Sequence, residues 1–204
     1  MNNEKNIILE KIKKEALENH VPILQDISLE FIEVILDLKK PNKILEIGTA
    51  VGYSAIKFSK YLSGKDKKIK TIELKEDMYK VALKNVNDMQ LNNVIEIVNA
   101  DATKYLKTIN EKEENYDVIF IDAAKGQYLV FLEEAIRLAK NNAVIIADNV
   151  YFHGRVLNGY NEHRHRTATN RLKEYIRIIN EDDRLNSTVL NIGDGVAISV
   201  VSKN

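Results

Sequence analysis

The chain has 204 residues, 30 basic against 30 acidic, and no cysteine. That length suits one α/β domain with a full core. The charge balance excludes a global attraction to nucleic acid and leaves only local patches, and the missing cysteine excludes both a disulfide framework and a thiolate zinc site.

No apolar run approaches membrane-spanning length, and MNNEKNIILEKIKKE lacks the pattern of a signal peptide. A cytoplasmic protein with no membrane partner is the expectation. In chain order, residues 4–19 place Ile8, Leu9, Ile12, Ala16 and Leu17 at helical spacing. Pro22 then biases the chain away from helix, and a second, more apolar helix covers 28–38 before Pro41. These two helices make an N-terminal extension of about 1–40, and their spare apolar surface predicts a homodimer. Short β-branched runs follow at 43–48, 69–73, 94–98, 117–122 and 143–149. They alternate with helical stretches near 53–62, 76–90 and 127–140, the pattern of βαβ units with parallel strands. A last helix is expected over 164–180, and STVLNIGDGVAISVV closes the chain as two alternating runs about Gly193-Asp194-Gly195, a hairpin signal. The count is five parallel strands followed by an antiparallel pair, in one domain spanning 1–204.

Four of the apolar runs end in acid, delivering Glu46, Glu73, Asp122 and Asp148, with Asn149 beside the last. Parallel strands point the same way, so these side chains fall at carboxyl ends, where open α/β sheets bind ligands. Acids gathered there repel one another unless something positive or rich in hydroxyls sits among them. The loop Glu46-Ile47-Gly48-Thr49-Ala50-Val51-Gly52-Tyr53-Ser54 has no lysine after Gly52 and its glycines stand four apart. It is neither a Walker loop nor a dinucleotide fingerprint. Glu46 suits a cationic group, Glu73 suits ribose hydroxyls, and Asp101 with Ala102 borders a base pocket. A nucleoside with a positive centre and no phosphates fits, as in S-adenosylmethionine.

Asp122, Asp148 and Asn149 form an oxygen set that suits magnesium and leaves room for a substrate oxygen. Without a Cys or His pair beside them, zinc is disfavoured. Either aspartate alone would serve as well to cap a following helix; Asp-Asn in tandem after an apolar strand points to a ligand set. Lys125, three residues beyond Asp122, is the candidate base or orienting group.

Together ILEIGTAVGYSAI, TIE at 71–73, IDAAK at 121–125 and ADNV at 147–150 resemble the metal-dependent class I O-methyltransferases, which include the catechol and caffeoyl-CoA enzymes. The likeness runs from VPIL at 21–24 to GDGVAIS at 193–199. It implies a Rossmann-like class I methyltransferase fold, a mostly parallel seven-stranded sheet with a C-terminal antiparallel hairpin and helices on both faces. It also implies Asp122, Asp148 and Asn149 as metal ligands, Glu73 as the ribose contact, and Gly48, Tyr53 and Ser54 around the methionine end of the cofactor. Asp122 counts in both the catalytic and the cofactor sets, beside Lys125. Within the family, VPIL, LEIGTAVGYSAI and DNVYFHGRV before a basic helix are closer to the bacterial branch that methylates tRNA 5-hydroxyuridine. That likeness implies conversion of the wobble base to 5-methoxyuridine.

The segment 151–177 fits such a partner. It carries Arg155, Arg164, Arg166, Arg171, Lys173 and Arg177 against Glu162 and Glu174, and it holds His153, His163 and His165. Arg155, Arg164, Arg166 and Arg171 would grip the phosphates of a tRNA anticodon loop, while Tyr151, Phe152 or Tyr160 stacks on a splayed base. Two other readings remain open: a small catechol-like or CoA-linked phenol as acceptor, and a non-catalytic relative that binds only adenosylmethionine or RNA.

Overall fold

A computed structural model describes residues 3–158 and 165–203. The chain divides into two units, Met1–Ala102 and Thr103–Asn204.

The first unit opens with α1 (Asn3–Glu18) and α2 (Asp26–Lys39). Leu9, Ile12 and Ala16 form the buried stripe of α1, while Leu29, Ile32 and Leu36 form that of α2. The break after α1 has His20 in the left-handed region, and α2 ends on a left-handed Lys40 whose N–H returns to the Leu36 carbonyl. Pro41 follows and cannot continue the helix. β1 (Lys43–Ile47), β2 (Lys68–Glu73) and β3 (Ile95–Asn99) then run parallel in the spatial order β3-β2-β1. Residues 44–47 are all buried, as an apolar run covered on both faces requires. α3 (Tyr53–Phe58) leaves β1, and α4 (Glu76–Asp88) packs on β2 and β3. α3 stops four residues before the expected end because a 3-10 turn, Ser59–Tyr61, completes the stretch.

α5 (Ala102–Tyr105) leads into the second unit. There β4 (Tyr116–Ile121) pairs in parallel with β5 (Ala139–Ala147), and the spatial order is β4-β5-β7-β6. α6 (Tyr128–Leu138) connects β4 to β5 and packs on both. β5 begins earlier than the apolar run predicts. Ala139 already pairs with Tyr116, and a register shift lets the polar stretch Lys140–Asn142, with left-handed Asn142, pass before the buried part begins. After α7 (Arg155–Asn158) and α8 (Arg166–Glu181), β6 (Leu185–Leu190) and β7 (Val196–Val201) form the expected antiparallel hairpin, and β7 also pairs with β5. The short helices α5 and α7 have no clear sequence signal, being single turns inside loops. The seven strands and their directions are those of the expected α/β class. Among the described residues no helix is long and apolar enough to cross a membrane.

One exposed feature stands out in the first unit. Ile27, Val34 and Leu38 of α2 are exposed, and half-buried Phe31 lies on the same helical stripe. The opposite side carries the core, and Leu36 there is 0% exposed. Leu36→Ala should therefore cost about 2–5 kcal/mol, read as a lower urea midpoint at unchanged slope.

Candidate active site

In the first unit, the turn from β1 into α3 is built for close approach. Gly48 and Gly52 have φ of 101° and 81°, and Ala50 is left-handed too, at 46°. A Cβ on Gly52 would stand 3.4 Å from that of Ala82, so glycine also lets α4 pack against the turn. Glu46 is 0% exposed. One of its oxygens accepts the Ser54 hydroxyl at 2.5 Å and the other accepts Thr71 at 2.5 Å, with Thr49 2.6 Å from Thr71. A buried carboxylate survives there because hydroxyls replace its water. Glu46 thus ties β1, β2 and the start of α3 together, and it fixes Ser54.

Glu73 ends β2 and is also buried. Its Oε2 accepts the Ala50 N–H and its Oε1 the Lys75 N–H, each at 2.8 Å. An ionised carboxylate offers about four lone-pair sites, so each oxygen keeps capacity for a ligand hydroxyl. Two acceptor oxygens held in this way fit the hydroxyls of a ribose. Tyr53 is buried, and burial raises its phenol above the ordinary range against the pull of Lys13. Asp101 and Ala102 lie half-buried just past β3, where Ala100 N–H and the Asn99 amide both reach the Glu73 carbonyl. The expected cofactor residues Glu46, Gly48, Glu73 and Asp101 thus lie at strand ends and the turns that follow them, Tyr53 and Ser54 open α3, Ala102 opens α5, and Asp122 falls in the second unit.

The second unit holds the other set. Ile121 pairs with Ala147, and the Asp148 N–H donates to the Ile121 carbonyl at 3.0 Å, so Asp122 and Asp148 leave adjacent strands side by side. Asn149 follows in the left-handed region, φ 56°. Lys125 gathers the group. Its Nζ stands 3.0 Å from Asp122 Oδ1, 3.2 Å from Asn149 Oδ1, 3.2 Å from the Asp148 carbonyl and 2.6 Å from the Tyr128 hydroxyl. Asp148 is 1% exposed, and its Oδ1 has no hydrogen-bond partner among the described residues. Burial, with the Asp122 charge beside it, pushes the Asp148 carboxyl up to about 7.

Among the described residues no three His, Cys, Asp or Glu side chains gather as a metal cluster. The set here is two carboxylates and an amide oxygen. An unpartnered buried carboxylate oxygen in an all-oxygen group is nevertheless what a hard divalent cation requires. The residues fit magnesium, and none of the soft ligands that select zinc is present. Neither aspartate caps a helix. The 3-10 turn after Asp122 is capped by Ala124, and α7 begins well beyond Asp148.

Sequence reasoning missed two contributors. Tyr128 is 0% exposed, and its hydroxyl also lies 2.8 Å from the Asp148 carbonyl. Burial raises its phenol well above the ordinary value, so it stays protonated. Asp194, in the hairpin turn, accepts the His153 N–H with both carboxylate oxygens at 2.7 Å and the Tyr151 N–H with its carbonyl. It holds a run in which Phe152, His153 and Gly154 are all left-handed. Gly195 is required beside it, since a Cβ there would stand 2.5 Å from the Tyr151 ring. A glycine-flanked acid at a hairpin tip was the available signal for Asp194; Tyr128, three residues past Lys125, had none beyond its spacing.

The basic segment is described only in part. Arg164 and Tyr160 lie outside the described residues. Arg155 sets its guanidinium 5.1 Å from the Phe152 ring centre, and His165 meets that ring edge-on at 5.6 Å. Thr169, Leu172, Tyr175 and Ile179 form the buried side of α8, which leaves Arg166 and Arg171 exposed. Arg177 pairs with Glu174 and Glu181 along the same helix.

Comparison with known proteins agrees with this arrangement. The family model described as O-methyltransferase matches residues 1–202. The tapetum-specific methyltransferase 1 of Arabidopsis thaliana is 28% identical over 184 residues, 89% of this chain and 77% of the relative. The catechol O-methyltransferase of Niastella koreensis is 29% identical over 178 residues, 84% of this chain and 79% of the relative. The structure of a Bacillus cereus O-methyltransferase in complex with SAH superposes with a TM-score of 0.85 at 28% identity, covering 96% of this chain and 90% of that one. With a buried acid network at the strand ends of the first unit, a lysine-centred oxygen set at those of the second, and a family match across almost its whole length, the chain belongs to the O-methyltransferase family, enzymes that depend on S-adenosylmethionine.

Proposed function

We propose that this enzyme transfers a methyl group from S-adenosylmethionine to a hydroxyl oxygen with the help of a divalent cation, magnesium by its chemistry. The observation that carries the reading is the oxygen set around Lys125, with a buried Asp148 oxygen that finds no hydrogen-bond partner among the described residues. The bound cofactor supplies an electrophilic methyl on a positive sulfur, and the cation supplies the charge that favours a deprotonated acceptor oxygen. Glu73 holds the ribose hydroxyls while Gly48, Tyr53 and Ser54 surround the methionine end. Asp122, Asp148 and Asn149 would hold the cation. Lys125 stands beside them, placed to take the acceptor's proton or to hold the resulting oxyanion. In the transfer, the methyl–sulfur bond breaks as the methyl–oxygen bond forms, and most of the rate gain comes from orientation.

Two substitutions separate the halves of this site. Glu73→Ala should weaken adenosylmethionine binding by about 1–3 kcal/mol through loss of charge-assisted hydrogen bonds. Asp148→Ala should abolish methyl transfer yet keep the cofactor affinity of the wild type. Calorimetric titration of both variants with the cofactor checks the pair; equal affinities for wild type and Glu73→Ala, or full turnover in excess chelator, would count against it.

For the acceptor, we favour 5-hydroxyuridine at the tRNA wobble position. Arg166 and Arg171 on the outer side of α8, and Arg155 stacked on Phe152, support a phosphate backbone running past the acceptor residues. The second reading, a small phenol, draws on the relative named a catechol O-methyltransferase. Incubation of the enzyme with labelled adenosylmethionine, magnesium and either catechol or tRNA carrying 5-hydroxyuridine decides between them. Label in the tRNA is the expected result, and Arg166→Ala with Arg171→Ala should lower the salt dependence of tRNA binding by about one unit per residue. Label in catechol and never in that tRNA would make the phenol the substrate.

The apolar stripe Ile27, Phe31, Val34 and Leu38 supports a homodimer, since a chain of zero net charge meets a second copy without long-range repulsion. Sedimentation should show twice the 23.3 kDa chain mass. Val34→Asp with Leu38→Asp should return the monomer, and a wild type that sediments only as monomer at micromolar concentration refutes the pairing.

A further inference from the structure

We propose that Tyr128 is a positioning residue for the acceptor residues: its hydroxyl anchors the Asp148–Asn149 turn and keeps Lys125 in place when a cation takes the oxygens of Asp122 and Asn149. The proposal rests on the cation-dependent reading above and assigns a task to a residue outside the oxygen set.

The polarity of the contacts follows from the groups themselves. A lysine ammonium only donates, so the Tyr128 hydroxyl accepts from Lys125 at 2.6 Å. Its single proton is then directed to the Asp148 carbonyl at 2.8 Å, rather than to the Ile121 carbonyl at 3.4 Å. Lys125 has three protons and four oxygens around it, at 2.6, 3.0, 3.2 and 3.2 Å, and the shortest contact is the one to Tyr128. Two of those oxygens, on Asp122 and Asn149, belong to the set that would bind the cation. A cation there competes with the ammonium for both, while the Tyr128 hydroxyl and the Asp148 carbonyl remain available. Tyr128 thus offers Lys125 a place that does not depend on the cation.

The hydroxyl is itself held. Tyr128 is the first residue of α6 and fully buried, and its ring meets Tyr175 of α8 edge-on at 5.5 Å. A ring fixed by packing keeps its oxygen fixed, which is how a residue beyond the ligands sets their geometry.

Tyr128→Phe removes that oxygen and little else. Three readouts separate positioning from bulk stability. Magnesium affinity measured by calorimetry should fall about tenfold, with adenosylmethionine affinity unchanged. Acylation of Lys125, followed by peptide mass spectrometry with and without magnesium, should run several-fold faster in the variant, most of all with magnesium present. Tyr175→Phe, which leaves the Tyr128 hydroxyl in place, should alter neither. A Tyr128→Phe enzyme that melts lower but matches the wild type in magnesium affinity and Lys125 labelling overturns the proposal. If the wild type binds no divalent cation, the cation reading fails while the labelling comparison still judges Tyr128. Should Tyr128→Phe not fold, Lys125→Ala takes its place: amide exchange at Asn149 should remain slow with Tyr128 alone holding the turn, and rapid exchange there overturns the anchor.

Discussion

The second unit is organised around one electrostatic problem, the placing of two carboxylates on adjacent strand ends with one of them out of reach of water. Ionised acids in that arrangement destabilise each other and lose hydration at the same time. The protein answers with the Lys125 ammonium set among Asp122, Asn149 and the Asp148 carbonyl. The register of β4 on β5 creates the juxtaposition, because Ile121 and Ala147 are partners and each acid is the next residue. Left-handed Asn149 then turns the chain so that its amide oxygen joins the group. The hairpin turn holds the chain beyond it through Asp194, and α8 reaches the group through Tyr175.

The first unit meets a similar problem by different chemistry. Glu46 and Glu73 are both buried, and both accept from neutral donors. Hydroxyls of Ser54 and Thr71 satisfy one, and backbone N–H groups of Ala50 and Lys75 satisfy the other. These are neutral donors in fixed positions. On the proposed reading, a positively charged sulfur with a ribose attached would suit such an edge, and the lysine-centred group would suit an oxygen that must lose its proton.

Much of this was legible in the sequence. Apolar runs ending in Glu46, Glu73, Asp122 and Asp148 placed those residues at strand ends, because a strand buried on both faces must be continuous and apolar. Gly193-Asp194-Gly195 placed the hairpin. The β5 start was less legible, since polar Lys140–Asn142 reads as loop and only pairing with Tyr116 makes it strand. The role of Tyr128 was hidden for a similar reason. An aromatic at the start of an apolar helix looks like core, and its hydroxyl acquires meaning only when β5 delivers the Asp148 carbonyl. The exposed side of α8 reads the same in the sequence whether it meets water or phosphate.

The bond from the Ala50 N–H to Glu73 has a consequence for the cofactor's arrival. An alanine in the left-handed region is disfavoured by roughly 1 kcal/mol, and a charge-assisted hydrogen bond of 2.8 Å offsets that cost. The glycine turn therefore takes its shape from an acid on the neighbouring strand. Because backbone groups on both sides already fix that carboxylate, its rotamer entropy is lost during folding. A nucleoside bound there as proposed would not need to freeze it again. Aspartate at this position would be one methylene too short to span the same two N–H groups, so the turn and the proposed ribose contact stand or fall on a single chain length.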